Sequence, residues 1–255
     1  MVSSTLDNVR RACAPHGLNL IAAIPVARYD NQPAVKETWR AAAIDPHARS
    51  IVVIGNGGGA LWDALKSHAA HNPGWWDRAN PLDDFTREVV ERDVAAPISA
   101  SGARCTAVYP FMNSAPTLDF IELGKVAGVA GPSILGVAIH PAYGPWIAFR
   151  AALLLGEELD SPGDALGFDP CPRCAAATCI AACRAGAISA DSGWDIPRCL
   201  THRVEAEADC APRCHARAAC VLGPEHRYPD DELAYHQMRA LRAMRPYYAS
   251  HLARA

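Results

Sequence analysis

The sequence has no unbroken apolar run near 20 residues, the length that a membrane-spanning helix requires. Its most hydrophobic stretch, Val126 to Leu155, is interrupted by Gly128, Gly131, Pro132, Gly136, Pro141, Gly144 and Pro145. The opening residues, MVSSTLDNVRRAC, lack the apolar core of a secretory signal. An excess of one sign of charge is lacking too. The formal net charge is −3 at pH 7, so there is no general pull toward nucleic acid or anionic lipid. There are no internal repeats and no low-complexity segment. These absences predict a cytoplasmic protein that neither enters a membrane nor takes nucleic acid as a partner. Hydrophobic residues make up 50% and charged residues 20%, an ordinary globular balance that argues against disorder.

Cysteine is not scarce, but it is unevenly spread. Cys13 and Cys105 stand alone, and the other eight of the ten fall between Cys171 and Cys220. A chain of 255 residues buries enough surface to be stable without covalent staples. In a reducing compartment, clustered thiols point to metal or redox chemistry rather than to disulfides. The isolated pair reads as small buried hydrophobes.

Hydrophobic patterning predicts an N-terminal region of mixed strands and helices. A helix is expected over Thr5–Ala14, capped by Ser3 or Ser4, and strands over Leu18–Val26, Ile51–Ile54 and Arg104–Tyr109. Further helices are expected over 60–68, 82–94, 118–125 and 146–155. Gly55–Gly59 reads as a loop. Its G-x-G-x-x-A match is a weak dinucleotide signal, because no acidic residue follows at the right distance in a strand. Asp160–Pro170 is rich in turn formers and makes a boundary. Pro229 and the acidic residues after it start a last helix. The domains expected are therefore 1–165, 166–228 and 229–255.

The cysteine block reads C-x2-C-x4-C-x3-C from Cys171 to Cys183, followed by Cys199, Cys210, Cys214 and Cys220. Eight thiolates match the demand of two 4Fe-4S clusters, each taking four. In two-cluster ferredoxins the fourth cysteine of a close-set run ligates the other cluster. By that rule Cys171, Cys174 and Cys179 share a cluster with Cys220, and Cys183 shares the second with Cys199, Cys210 and Cys214. Structural zinc is the alternative, since it also takes four thiolates, usually as paired C-x2-C knuckles. Only Cys171 and Cys174 form such a pair. The x4 before Cys179 replaces the usual x2, and Arg184 stands where a proline usually follows, so retention of only one cluster stays open. His202, His215 and His226 lie among the cysteines, either as alternative ligands or as solvated loop positions.

These residues, together with others upstream, carry a family resemblance. His140-Pro141-x-Tyr143-Gly144-x-Trp146, the strand start Ala48-Arg49-Ser50-Ile51, Arg184-Ala-Gly-Ala-Ile188 and Arg198-Cys199-Leu200 resemble segments of epoxyqueuosine reductases. Those enzymes group with the reductive dehalogenases as cobalamin-dependent iron–sulfur reductases. The similarity runs from about residue 10 to 225. It implies an α+β fold: a nitroreductase/CblC-like α/β sandwich core and a C-terminal ferredoxin-like module with two 4Fe-4S clusters. It also implies cobalamin in a pocket, an external electron donor, and a small molecule or the corrinoid itself as acceptor. His140, Tyr143 and Asn113 become pocket candidates, while His140, Tyr143 and Trp146 also read as structural residues. The alternative is a ferredoxin-type electron carrier whose pocket domain is empty.

The departures are informative. The resemblance places a proton-delivering Asp in a segment of the form VDTAP, and the matching residues here are Met112-Asn113-Ser114-Ala115-Pro116. An amide has no titratable proton near neutral pH. The family's Trp-Ile-Gly-Lys-Asn segment becomes Gly131-Pro132-Ser133-Ile134-Leu135, which loses a lysine. The helical-repeat extension that helps those enzymes hold tRNA has no counterpart in these residues. Epoxyqueuosine is therefore not the expected substrate, and no residue outside the cysteines is assigned a catalytic role.

Overall fold

Ser4 caps the first helix, α1 (Thr5–Cys13), by accepting the Asp7 amide at 3.2 Å, and Leu6, Val9 and Cys13 form its buried side. The computed structural model in which this is seen describes residues 4–112, 115–159 and 167–252. Strand β1 (Leu20–Pro25), strand β2 (Ser50–Gly57), helix α2 (Ala60–His71) and helix α3 (Pro81–Val89) follow, the last widening into a π-helical turn over Val90–Ala95. Strand β3 (Cys105–Val108), helix α4 (Phe120–Val126) and strand β4 (Ile147–Leu155) complete this part. The strands form one antiparallel sheet in the order β1-β2-β4-β3. Ile24, Ile51, Val53, Ala152 and Leu154 pack from the sheet against Leu118, Phe120 and Leu123.

Two sequence expectations need correction here. The stretch 146–155, expected to be helical, is strand β4. Its Ala and Leu residues favour helix, but it pairs with β2 on one edge and β3 on the other, and from Arg150 to Leu155 every residue is buried. A strand buried on both faces shows no alternation, so periodicity cannot separate it from a buried helix. The loop expected over Gly55–Gly59 is partly strand, because β2 continues to Gly57. Gly55 is required there, since a Cβ would lie 2.8 Å from the Ala148 carbonyl oxygen across the ladder. The register shifts at this point: Ile54 pairs with Ala151 and Gly55 with Phe149, leaving Arg150 as the extra residue of a bulge. Bulges of this kind re-aim a side chain. The buried Arg150 Nε donates to Asn56 Oδ1 at 2.7 Å.

The chain divides into two compact units, residues 1–131 with 147–167, and residues 132–146 with 168–255. The boundary therefore differs from the one drawn at 165/166. Segment 132–146 belongs with the C-terminal unit because Arg217 donates to the Pro145 carbonyl at 3.1 and 2.5 Å. Gly144 also packs so closely that a Cβ would lie 2.0 Å from the Leu222 oxygen. Most of the turn-rich boundary, 160–166, lies outside the described residues.

The second unit contains helix α5 (Thr178–Ala182), the hairpin of β5 (Ile188–Ser189) and β6 (Gly193–Trp194), helix α6 (Ile196–Glu205), helix α7 (His215–Ala218) and helix α8 (Asp230–His251). Helix α8 starts after Pro229 with Asp230, Asp231 and Glu232 in its first turn, as expected. It is no separate domain, because Leu241 packs on Leu200 and Ala211. Among the described residues no helix is long and apolar enough to cross a membrane.

Candidate metal centre

All ten cysteines are free thiols. Cys13 is fully buried in the first unit, where burial first, and Asp93 second, push its thiol up to about 12. Burial likewise pushes Cys105 up to about 11. Neither has a second thiol within the same helix or strand to share a metal with.

The other eight lie in the second unit, each half-buried, and the fold sorts them into two groups. A cavity of about 470 Å3 is lined by Cys171, Cys174, Cys179 and Cys220 among apolar neighbours that include Ile134, Leu135 and Ile180. A second cavity, of about 200 Å3, is lined by Cys183, Cys199, Cys210 and Cys214. Helix α5 separates them. Cys179 lies in its first turn and Cys183 is its C-cap, its backbone N–H donating to the Ile180 carbonyl at 3.2 Å, so thiols four residues apart line different cavities.

Electrostatic coupling sorts the thiols in the same way. Cys179 is raised by burial and then by Cys220 and Cys171, and Cys220 by burial and then by Cys171 and Cys174. Cys199 is raised by burial and then by Cys214 and Cys183. Burial, the adjacent Asp209 and the thiols of Cys214, Cys199 and Cys183 push Cys210 up to about 11. These couplings stay within each group of four.

N–H groups are aimed at the sulfurs. Ala187 donates to Cys183 Sγ at 3.3 Å and Arg217 donates to Cys214 Sγ at 3.4 Å. The amides of Ile180 and Leu222 serve Cys179 and Cys220, and the Trp194 side chain hydrogen-bonds Cys199. Such donors favour the thiolate over the thiol, so this donor set fits anionic sulfur ligands. The extra residues in the Cys174–Cys179 loop are accommodated by Ala177 at φ 42, the one non-glycine residue with positive φ among those described.

Sequence reasoning did not single out Trp194 or Arg217. Trp194 lies over Gly136, whose φ is +71 and where a Cβ would meet Trp194 Cε3 at 2.2 Å. Arg217 is three residues beyond Cys214, and the helical spacing is the signal that could have found it. Its guanidinium stacks 4.9 Å from Trp146 and 5.0 Å from Tyr228, which fixes the turn that presents Cys214.

The pocket candidates are placed differently. Asn113 lies outside the described residues. His140 Nδ1 accepts the amides of Ala142 and Tyr143 at 3.0 and 3.2 Å, which makes it the cap of the turn that closes on Gly144. Burial first, then His226, lower its pKa. The Tyr143 ring lies tilted against His140 and His226, with centroids 5.0 and 4.6 Å away. Trp146 is fully buried against Tyr228 and Leu233.

No family model and no curated protein matches the sequence. Solved structures do. The C. elegans B12-trafficking protein CblC matches over 91% of this chain and 90% of its own, with 12% identity and a TM-score of 0.60. Epoxyqueuosine reductase from Bacillus subtilis matches over 88% and 66%, with 12% identity and a TM-score of 0.52. The catabolic reductive dehalogenase NpRdhA, in complex with 3-bromo-4-hydroxybenzoic acid, matches over 95% and 36%, with 14% identity and a TM-score of 0.50. The chain shares their fold. It spans about two thirds of the reductase and little more than a third of the dehalogenase. At these identities the likeness is one of architecture, a mixed α/β protein with a sheet core.

Proposed function

We propose that this protein is an iron–sulfur redox protein whose C-terminal unit is a ferredoxin-like module for two 4Fe-4S clusters. Cys171, Cys174, Cys179 and Cys220 hold one, and Cys183, Cys199, Cys210 and Cys214 the other. The observation that carries this reading is the pair of cavities, each ringed by four thiols. When bound, such clusters supply one-electron transfer at low potential.

The chain's own residues set the conditions. The amides of Ala187, Arg217, Ile180 and Leu222 and the Trp194 indole offset thiolate charge, and hydrogen bonds to sulfur are one lever on cluster potential. Leu135, Ile188 and Ala216 form the apolar floor against which Cys179, Cys183, Cys214 and Cys220 pack. Arg217 holds the Cys214 turn to Pro145. Helix α5 keeps the two sets about one helical turn, roughly 6 Å, apart along its axis.

The electrons come from an external cytoplasmic donor and go to a corrinoid or to a small-molecule substrate. Support for the corrinoid is the fold shared with the B12-trafficking protein. The described residues assemble no cradle for it: Asn113 is not described, and His140 is committed through Nδ1 to two amides. Epoxyqueuosine is not the substrate in this reading, because an amide stands at Asn113 where the resemblance requires an acid. If no corrinoid binds, the protein is an electron carrier.

Anaerobic purification with iron, zinc and cobalt assays tests the reading. A broad brown absorbance and about eight irons per chain are expected. Zinc without iron overturns the cluster assignment. Cobalt retained after cobalamin is supplied identifies the corrinoid acceptor, and its absence leaves the electron carrier.

A further inference from the structure

His202 and Asp209 flank the second thiol group without lining its cavity. His202 lies on α6 three residues after Cys199, and Asp209 immediately precedes Cys210. One ligand atom each from His202, Asp209 and Cys210 lie within 4.8 Å of one another. The His202 Nε2 atom is buried and makes no hydrogen bond, although it faces Asp209 Oδ2 at 3.4 Å.

That spacing suits two ligands of one metal. It is longer than the roughly 2.7–3.2 Å of an N–H···O hydrogen bond. It matches the nitrogen–oxygen edge of a tetrahedron built on a metal with bonds of about 2.0–2.1 Å, which is about 3.3–3.4 Å. His215 holds the arrangement from outside, its Nε2 lying 2.9 Å from the Asp209 backbone carbonyl.

We propose that His202, Asp209 and Cys210 form a mononuclear site for a divalent cation of the zinc or cobalt(II) class, next to the second thiol group. One imidazole, one carboxylate and one thiolate are the donor set of a borderline cation rather than of magnesium or calcium. Three protein ligands leave a fourth position for water or substrate, as in catalytic rather than structural zinc sites. Cys210 belongs to both sets, and a thiolate sulfur has enough lone pairs to bridge two metals. On binding, Cys210 gives up its thiol proton to solvent, and no electron is transferred. His215 is a positioning residue.

Cobalt(II) is the metal to titrate, because its visible bands report geometry. In the full chain carrying serine in place of Cys171, Cys174, Cys179, Cys183, Cys199, Cys214 and Cys220, so that neither four-thiol set can bind the metal, one equivalent should bind with tetrahedral ligand-field bands and a near-ultraviolet thiolate band. Adding His202→Ala should weaken binding at least about tenfold, the lower end of what loss of even an outer-shell partner costs. Unchanged affinity and bands after both His202→Ala and Asp209→Ala overturn the proposal. A second measurement does not depend on that variant folding. The iron-loaded chain with all cysteines intact should retain one zinc after desalting, and His202→Ala should lose the zinc and keep its iron. Loss of iron with the zinc would assign His202 to the cluster and overturn the site. A wild-type chain that never holds iron sinks the cluster reading alone, since the cobalt titration needs no iron.

Discussion

Replacing Cys171 and Cys183 with serine together separates the interleaved ligand scheme from the simple one in which the first four cysteines serve one cluster. The two residues line different cavities. Cys183 caps the far end of the helix that begins next to Cys179, and its amide donor is Ala187, from the loop that leads to β5. If each cavity takes four irons, either single substitution should lower iron from about eight to about four per chain, and the double substitution should lower it to near zero. Under a sequential scheme both substitutions would damage the same cluster, and the double variant would keep about four irons. Iron is measured chemically after anaerobic reconstitution, alongside the visible absorbance and the electron paramagnetic resonance of the dithionite-reduced protein. A double variant that holds as much iron as the singles refutes the interleaving, however the cavities are lined.

Gly136→Ala places a methyl group against Trp194 at a positive φ. It should cost about 2–4 kcal/mol, from the left-handed backbone together with overpacking, and should lower iron in the Cys199 group first. Urea melts and iron content check both outcomes. Asn56→Ala removes a side-chain partner of the buried Arg150 guanidinium, at about 1.5–3 kcal/mol, and circular dichroism melts should show the loss with iron content unchanged. The buried Cys13 predicts an alkaline slope. Its folded pKa of about 12 lies above the reference value of 9.0, so its stabilisation is complete below that reference and is lost as pH rises from there toward the folded value. The loss is about 1.4 kcal/mol per pH unit. Cys13→Ala should flatten the fall in the unfolding free energy obtained from urea melts between about pH 9.5 and 10.5 by about that amount, leaving a residue from Tyr29 and Tyr109, which burial also raises. A slope equal to wild type would contradict the assignment.

The amino-acid sequence by itself determined the inventory: which thiols are clustered, which are isolated, and where β1, β2, β3 and the last helix lie. Those features are local, carried by spacing, β-branched runs and caps within a few residues, and the order of the cysteines is what suggests the interleaved ligand scheme proposed above. The nature of 146–155 was decided only by tertiary structure, because a segment buried on both sides has no periodicity to read and its Ala and Leu residues misdirect it toward helix. The membership of 132–146 was likewise settled by Arg217 reaching Pro145 across 72 residues. Trp194 over Gly136 and His202 facing Asp209 are also contacts between segments that the chain brings together only by folding. Sequence proximity supplies the ligands, but long-range packing decides which sulfurs, rings and carboxylates share a cavity, because the direction of a side chain is set by the elements packed around it.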